Sequence, residues 1–132
     1  MHQMGLPMIE GISPFFVVTD VSRSIAFYRD KLGFTVTFQD PSEQPFAAIL
    51  CRDRAQIFVK SEAGIVPVPN SSRHRHLRWD AYLYVPNPDD LANEFRERGV
   101  SIAKALADTV DGLRGFELGD ADGYILFFGR PR

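Results

Sequence analysis

Val18-Thr19-Asp20-Val21 opens a stretch that continues through Phe27-Tyr28-Arg29-Asp30-Lys31-Leu32-Gly33-Phe34. It returns later as Val85-Pro86-Asn87-Pro88, followed by Glu94-Phe95-Arg96-Glu97-Arg98-Gly99-Val100. Val18 matches Val85, Tyr28-Arg29 matches Phe95-Arg96 and, after one deletion, Gly33 matches Gly99. Each copy reads as strand, capped helix, glycine stop and strand. The shared order of these signals points to an internal duplication.

Both helices carry start and stop marks. In the first, Asp20 suits the N-cap, and Val21, Ile25, Tyr28 and Leu32 recur at helical spacing, so they share one face. Arg29 and Lys31 fall near its end, and Gly33 suits the left-handed position that stops it. In the second, Asn87 suits the cap, Pro88 the first helical position, and Asp89 and Asp90 the first turn. Leu91 and Phe95 mark its buried side, and Arg98-Gly99 ends it.

Strands are expected at Ile12–Thr19, Phe34–Gln39, Phe46–Arg52 and Ala55–Lys60. They recur at Trp79–Val85, Val100–Lys104, Gly115–Gly119 and Tyr124–Gly129. Ser61–Arg78, with Gly64, Pro67 and Pro69, reads as a mobile connection. The expectation is one α+β domain of two βαβββ modules, 9–62 and 76–130, joined by a linker over 63–75.

The chain has 132 residues, 45% of them hydrophobic and 24% charged, which suits one domain with a real core and argues against disorder. Fifteen Lys and Arg against 17 Asp and Glu leave a formal charge of -2, with no basic excess to neutralise phosphates, so nucleic acid is excluded as a partner. The apolar runs Pro14–Val18 and Tyr124–Phe128 are far shorter than the ~20 residues that cross a bilayer. The first basic residue is Arg23, so no charged n-region precedes an apolar stretch. A cytoplasmic protein without membrane contact is the expectation. The single cysteine, Cys51, forms neither an internal disulfide nor a thiolate cage, and it ends an apolar strand with no base identified beside it.

Val17-Val18-Thr19-Asp20, Ser24-Ile25-Ala26-Phe27-Tyr28 and Leu32-Gly33-Phe34, with Asp120-Ala121-Asp122-Gly123-Tyr124 near the end, resemble one known family. This is the glyoxalase/bleomycin-resistance/extradiol-dioxygenase group, or vicinal oxygen chelate superfamily, and the likeness runs roughly from Ile9 to Gly129. It implies two βαβββ modules whose sheets curl around a cleft, often in a homodimer. It also implies either metal-dependent lyases, isomerases, dioxygenases and thiol transferases, or metal-free proteins that sequester drugs.

The resemblance places the metal-ligand positions at Ser13, Phe58, Asp80 and Phe127. Asp80 is the one competent ligand among them, whereas a divalent site needs three or four N or O donors. His74-x-His76 lies in the cationic run Arg73-His74-Arg75-His76, which repels a metal ion. No metal, no cofactor and no catalytic residue is expected.

Strand alternation puts Ala81, Leu83 and Val85 under the second helix and Asp80, Tyr82 and Tyr84 on the opposite face. Ser13, Phe15, Val17, Phe58 and Phe127 face the cleft by the same counting, and Arg114 is a candidate donor for an acidic group. Phe15, Phe58, Asp80, Tyr82, Tyr84, Arg114 and Phe127 are therefore the expected ligand-binding residues. Planar rings with one acid suit a small aromatic or cationic ligand. Exposed sheet edges favour a homodimer. The expected function is drug or toxin sequestration of the bleomycin-resistance type. The alternatives are a glyoxalase-like lyase or isomerase using a divalent metal, and a module whose aromatic face binds protein.

Overall fold

The duplicated signals become two sheets of identical plan. In the computed structural model, which describes residues 5–132, the first module runs β1 (Phe15–Val17), α1 (Val21–Ala26), β2 (Thr35–Asp40), β3 (Ala47–Arg52) and β4 (Ala55–Lys60). The second runs β5 (Trp79–Tyr84), α2 (Pro88–Glu97), β6 (Ile102–Asp108), β7 (Leu113–Gly119) and β8 (Ile125–Pro131). The strand orders β1-β4-β3-β2 and β5-β8-β7-β6 correspond, and in each the first strand runs parallel to the last while the other pairs are antiparallel. The architecture is α+β with two similar modules.

Local chemistry starts and stops the helices where the sequence says. Asp20 accepts from the Arg23 amide at 3.3 Å, and Asn87 accepts from the Asp90 amide at 3.1 Å. α1 widens into a π turn over Phe27–Lys31, and Gly33 and Gly99, at φ +73° and +84°, close the two helices. Val21, Ile25, Tyr28 and Leu32 are all buried, as their spacing requires.

The helix-facing sides of both sheets build one continuous core, in which Tyr28, Leu50 and Val59 of the first module join Phe95, Phe116 and Phe128 of the second. Polar clamps flank it. At one end Arg52 donates to both Glu94 oxygens at 2.7 and 2.8 Å and to the Leu32 carbonyl at 2.8 Å, and Arg98 adds a bond to Glu94 at 2.9 Å. These bonds hold the Glu94 carboxyl down at about 2.

At the other end lies the Asp120–Tyr124 turn. Tyr28 donates to Asp120 Oδ2 at 2.7 Å, and Asp120 Oδ1 accepts from the Asp122 and Tyr124 amides. Asp122 Oδ1 accepts from the Thr19 amide and from Arg23, both at 3.1 Å, and the Tyr124 hydroxyl donates to the Val17 carbonyl. Burial pushes the Asp120 carboxyl up to about 6, against the pull of those hydrogen bonds. The Asp-x-Asp-Gly sequence that carries the family resemblance is thus the joint between modules.

Several boundaries differ from the expectation. β1 is three residues long rather than Ile12–Thr19, because among the described residues β4 is its only partner and the pairing ends at Phe58 N–Pro14 O and Val18 N–Lys60 O. Ile12 is 96% exposed, outside any sheet. β6 starts at Ile102 and runs on to Asp108, β7 starts at Leu113, and β8 ends at Pro131. The longer hairpin closes on Thr109, whose Oγ1 accepts from the Leu113 amide at 3.0 Å. The connection between modules holds a short 3-10 turn at Asn70–Ser72, tied to β5 rather than free along its whole length. Among the described residues no helix is long and apolar enough to cross a membrane.

Candidate ligand-binding site

Each sheet turns one side to the shared core and leaves the other open. Along β8, Leu126 and Phe128 join the core, so Phe127 stands on the open side; along β7, Phe116 and Leu118 join it, so Gly115, Glu117 and Gly119 stand opposite.

β5 breaks the simple alternation. Its pairing with β8 shifts between Trp79 and Ala81, with Trp79 opposite Ile125 and Ala81 opposite Leu126. This bulge places Trp79 with Tyr82 on the open side. Asp80, expected there as the polar handle, instead accepts from the Asn70 amide at 2.9 Å through Oδ1 and from the Ile125 amide at 2.8 Å through Oδ2. It fastens the connection to the sheet. That corrects the face assigned to Asp80, and the cause is the extra residue of the bulge.

The open side of the second sheet carries a ledge of four rings. Trp79 stacks on Phe127 at 4.1 Å with the planes 22° apart, and Tyr82 meets both edge-on at 5.6 and 5.1 Å. Tyr84, 75% exposed, stacks on Tyr82 at 4.2 Å. Phe127 is only 2% exposed and lies across Gly115 and Gly129, which face each other between β7 and β8. Beside it Glu117, 6% exposed, accepts from the Trp79 indole N–H at 2.8 Å and from Arg78 at 3.2 and 3.3 Å. The Tyr82 hydroxyl is covered without a partner among the described residues, and desolvation pushes its pKa up.

The open side of the first sheet is sparser. Phe15, 59% exposed, meets Phe58 at 6.4 Å, and the Ser13 hydroxyl donates to Gln56 at 3.2 Å. A shallow concavity of about 260 Å³ adjoins Phe15, Val17, Lys60 and Ile65. The structure therefore gathers Tyr82, Tyr84 and Phe127 in one place and Phe15 with Phe58 in another, with no ring contact between the two sets among the described residues.

Arg114 belongs to neither. It stands on the helix side of β7, bonded to Asp89 at 2.8 and 2.9 Å and to Asp108 at 3.1 Å. Its two carboxylate partners take three of its five N–H donors and hold it on that side, which corrects its placement in the cleft. His74 and His76 are exposed in the connection, and His2 lies outside the described residues.

Sequence reasoning missed Arg78, Trp79 and Glu117. The signal for Glu117 was present: a lone acid between Phe116 and Leu118, both core residues, must turn inward onto the opposite side of an internal strand. Trp79 was hidden by the bulge.

A family model described as "Glyoxalase/Bleomycin resistance protein/Dioxygenase superfamily" matches residues 11–128. The chain belongs to that superfamily. TioX from Micromonospora sp. ML1 is 20% identical, with 92% of this chain and 98% of that one covered at a TM-score of 0.72. The bleomycin-binding protein of bleomycin-producing Streptomyces verticillus, complexed with copper(II)-bleomycin, is also 20% identical, with coverages of 96% and 100% and a TM-score of 0.71. A glyoxalase-related enzyme from Clostridium phytofermentans is 13% identical, with coverages of 98% and 100% and a TM-score of 0.72. At these identities the likeness establishes the fold. No curated protein matches.

The resemblance implies metal-ligand positions at Ser13, Phe58, Asp80 and Phe127. These residues do not fit a divalent cation. Both Asp80 oxygens hold backbone amides, Ser13 bonds Gln56, and the Phe127 ring is sandwiched between sheet and indole. Among the described residues no three His, Cys, Asp or Glu side chains converge on one point.

Proposed function

We propose that this superfamily member binds a flat, ring-bearing small molecule and releases it unchanged, without a metal, in the manner of the bleomycin-binding relatives. The observation that supports the reading is the aromatic ledge of Trp79, Tyr82, Tyr84 and Phe127. An assembled row of rings on an open sheet face is a ready surface for stacking. Phenyl rings at two of the positions that the resemblance assigns to metal ligands, and an Asp80 already engaged by two amides, weigh against the lyase or isomerase alternative.

The binding cleft forms between two copies of the chain. The modules share their helix-side core, so the open faces of one chain stay apart, and each needs a second sheet to bury a ligand. Phe15 and Phe58 of one copy would then roof the ledge of the other, and a homodimer carries two such clefts.

Trp79 is the only tryptophan, so its fluorescence reports the ledge directly. Titration with metal-free bleomycin, copper(II)-bleomycin and a panel of flat aromatic amines should give saturable quenching for at least one probe. The expected Kd is about 10 µM or tighter, roughly −7 kcal/mol, with the probe recovered intact. A blank across the panel would sink the reading, as would stoichiometric metal in protein purified without chelator. Sedimentation should give a dimer that persists in Phe58→Ala.

A further inference from the structure

Glu117 is the costly residue of the open face. A carboxylate that is 6% exposed pays heavily in lost hydration, and an apolar residue beside Phe127 would avoid that penalty. Its oxygens serve two partners at the start of β5: the indole N–H of Trp79, the strand's first residue, at 2.8 Å, and Arg78 just before it, whose side chain is 27% exposed. The short bond to the indole is the one with directional content, because it fixes which way the ring lies.

The rest of the assembly has the same purpose. A Cβ at Gly115 would sit 2.5 Å from the Phe127 ring, and one at Gly129 closer still, so the phenyl lies flat on the sheet only because both residues are glycine. Trp79 lies flat on that phenyl in turn. Three layers result, backbone, phenyl and indole, with the top one latched at its edge by Glu117.

We infer that Glu117 is the positioning residue of the ligand-binding ledge, holding Trp79 as a preformed stacking plate. The inference rests on the proposed function for what the plate receives. It also narrows the ligand class. Arg78 neutralises Glu117, so the carboxylate leaves no uncompensated charge beside the plate, and the indole face receives a flat ring by stacking. Holding the plate before the ligand arrives removes ordering entropy from the binding step.

The test separates the latch from the ligand. In the unliganded protein, Glu117→Leu should raise acrylamide quenching of Trp79 at least twofold and lower its anisotropy. Glu117→Gln should restore both, because the amide oxygen accepts the same N–H. Bleomycin affinity should follow the same order, falling at least tenfold in Glu117→Leu and recovering in Glu117→Gln. Unchanged quenching in Glu117→Leu overturns the inference. So does a Glu117→Gln protein with a wild-type Trp79 signal but lost affinity, which would mean that the carboxylate touches the ligand. Should Glu117→Leu not fold, the indole N–H resonance of the wild-type protein decides. Exchange slowed at least tenfold against free indole supports the latch, and exchange at the free rate removes it. If no probe binds wild-type protein, the proposed function fails while the Trp79 measurements still judge the latch.

Discussion

The two sheets are built on one plan yet carry different open faces. On the helix side they are alike: each buries apolar strand positions against its own capped helix, and the two cores merge. On the open side the first sheet offers Phe15 and Phe58, loosely tilted at 6.4 Å, whereas the second offers four rings linked by stacking and edge contacts, with Phe127 resting on a glycine pair. The two modules share one core, so a cavity opened there weakens both. The open faces answer to no such constraint, and only one of them has been elaborated into a platform.

That contrast is sharpened first by the phenyls at equivalent strand positions. Phe127→Ala removes the floor under Trp79 and should cost about 3–4 kcal/mol in urea unfolding, together with most probe affinity. Phe58→Ala, in the half-buried partner position, should cost about 1 kcal/mol. Equal losses would erase the distinction between the sheets.

Asp80 comes next, since the first module has only Ser13 at its place. Asp80→Ala leaves two backbone amides without acceptors and should destabilise by about 2–3 kcal/mol. Asp80→Asn, which keeps one acceptor oxygen, should lose less. A neutral Asp80→Ala would mean that the connection does not depend on β5.

The two clamps between modules should respond to pH with opposite sign. Asp120 has a native pKa raised to about 6 against the ordinary carboxyl near 3.8, so the folded state holds that proton more tightly than the unfolded chain. Its contribution to stability is therefore fullest below about pH 4 and is lost as pH climbs through about 6, by on the order of 3 kcal/mol. The stability difference between wild type and Asp120→Asn should show that drift, and a flat difference from pH 4 to 7 would contradict it.

Glu94, depressed to about 2 from 4.5, behaves the other way. Its contribution is present above pH 4.5 and fades as pH falls towards 2. With 34% of its side chain exposed, solvent screening holds the effect to about 1 kcal/mol or less, measured as wild type against Glu94→Gln in acid unfolding.

Much of this was legible in the chain. The caps at Asp20 and Asn87, the stripe Val21-Ile25-Tyr28-Leu32 and the glycine stops each depend on residues within one or two helical turns, so local pattern sufficed. Tyr82, Tyr84 and Phe127 were also placed together by alternation alone. Asp80 and Arg114 differ from the expectation for separate reasons. A single-residue bulge reverses every side chain on one side of it, and Arg114 lies on β7 in register with Arg130, where it faces α2.

From sequence alone came the duplication, the α+β plan and an aromatic character for the open surface, because periodicity and capping are properties of neighbouring residues. Tertiary structure alone decided that Trp79 tops the ledge, that Glu117 holds it and that Asp80 is spent on backbone amides. Those outcomes depend on which strand lies beside which, and hydrogen-bond partners 38 and 45 residues apart leave no trace in local pattern.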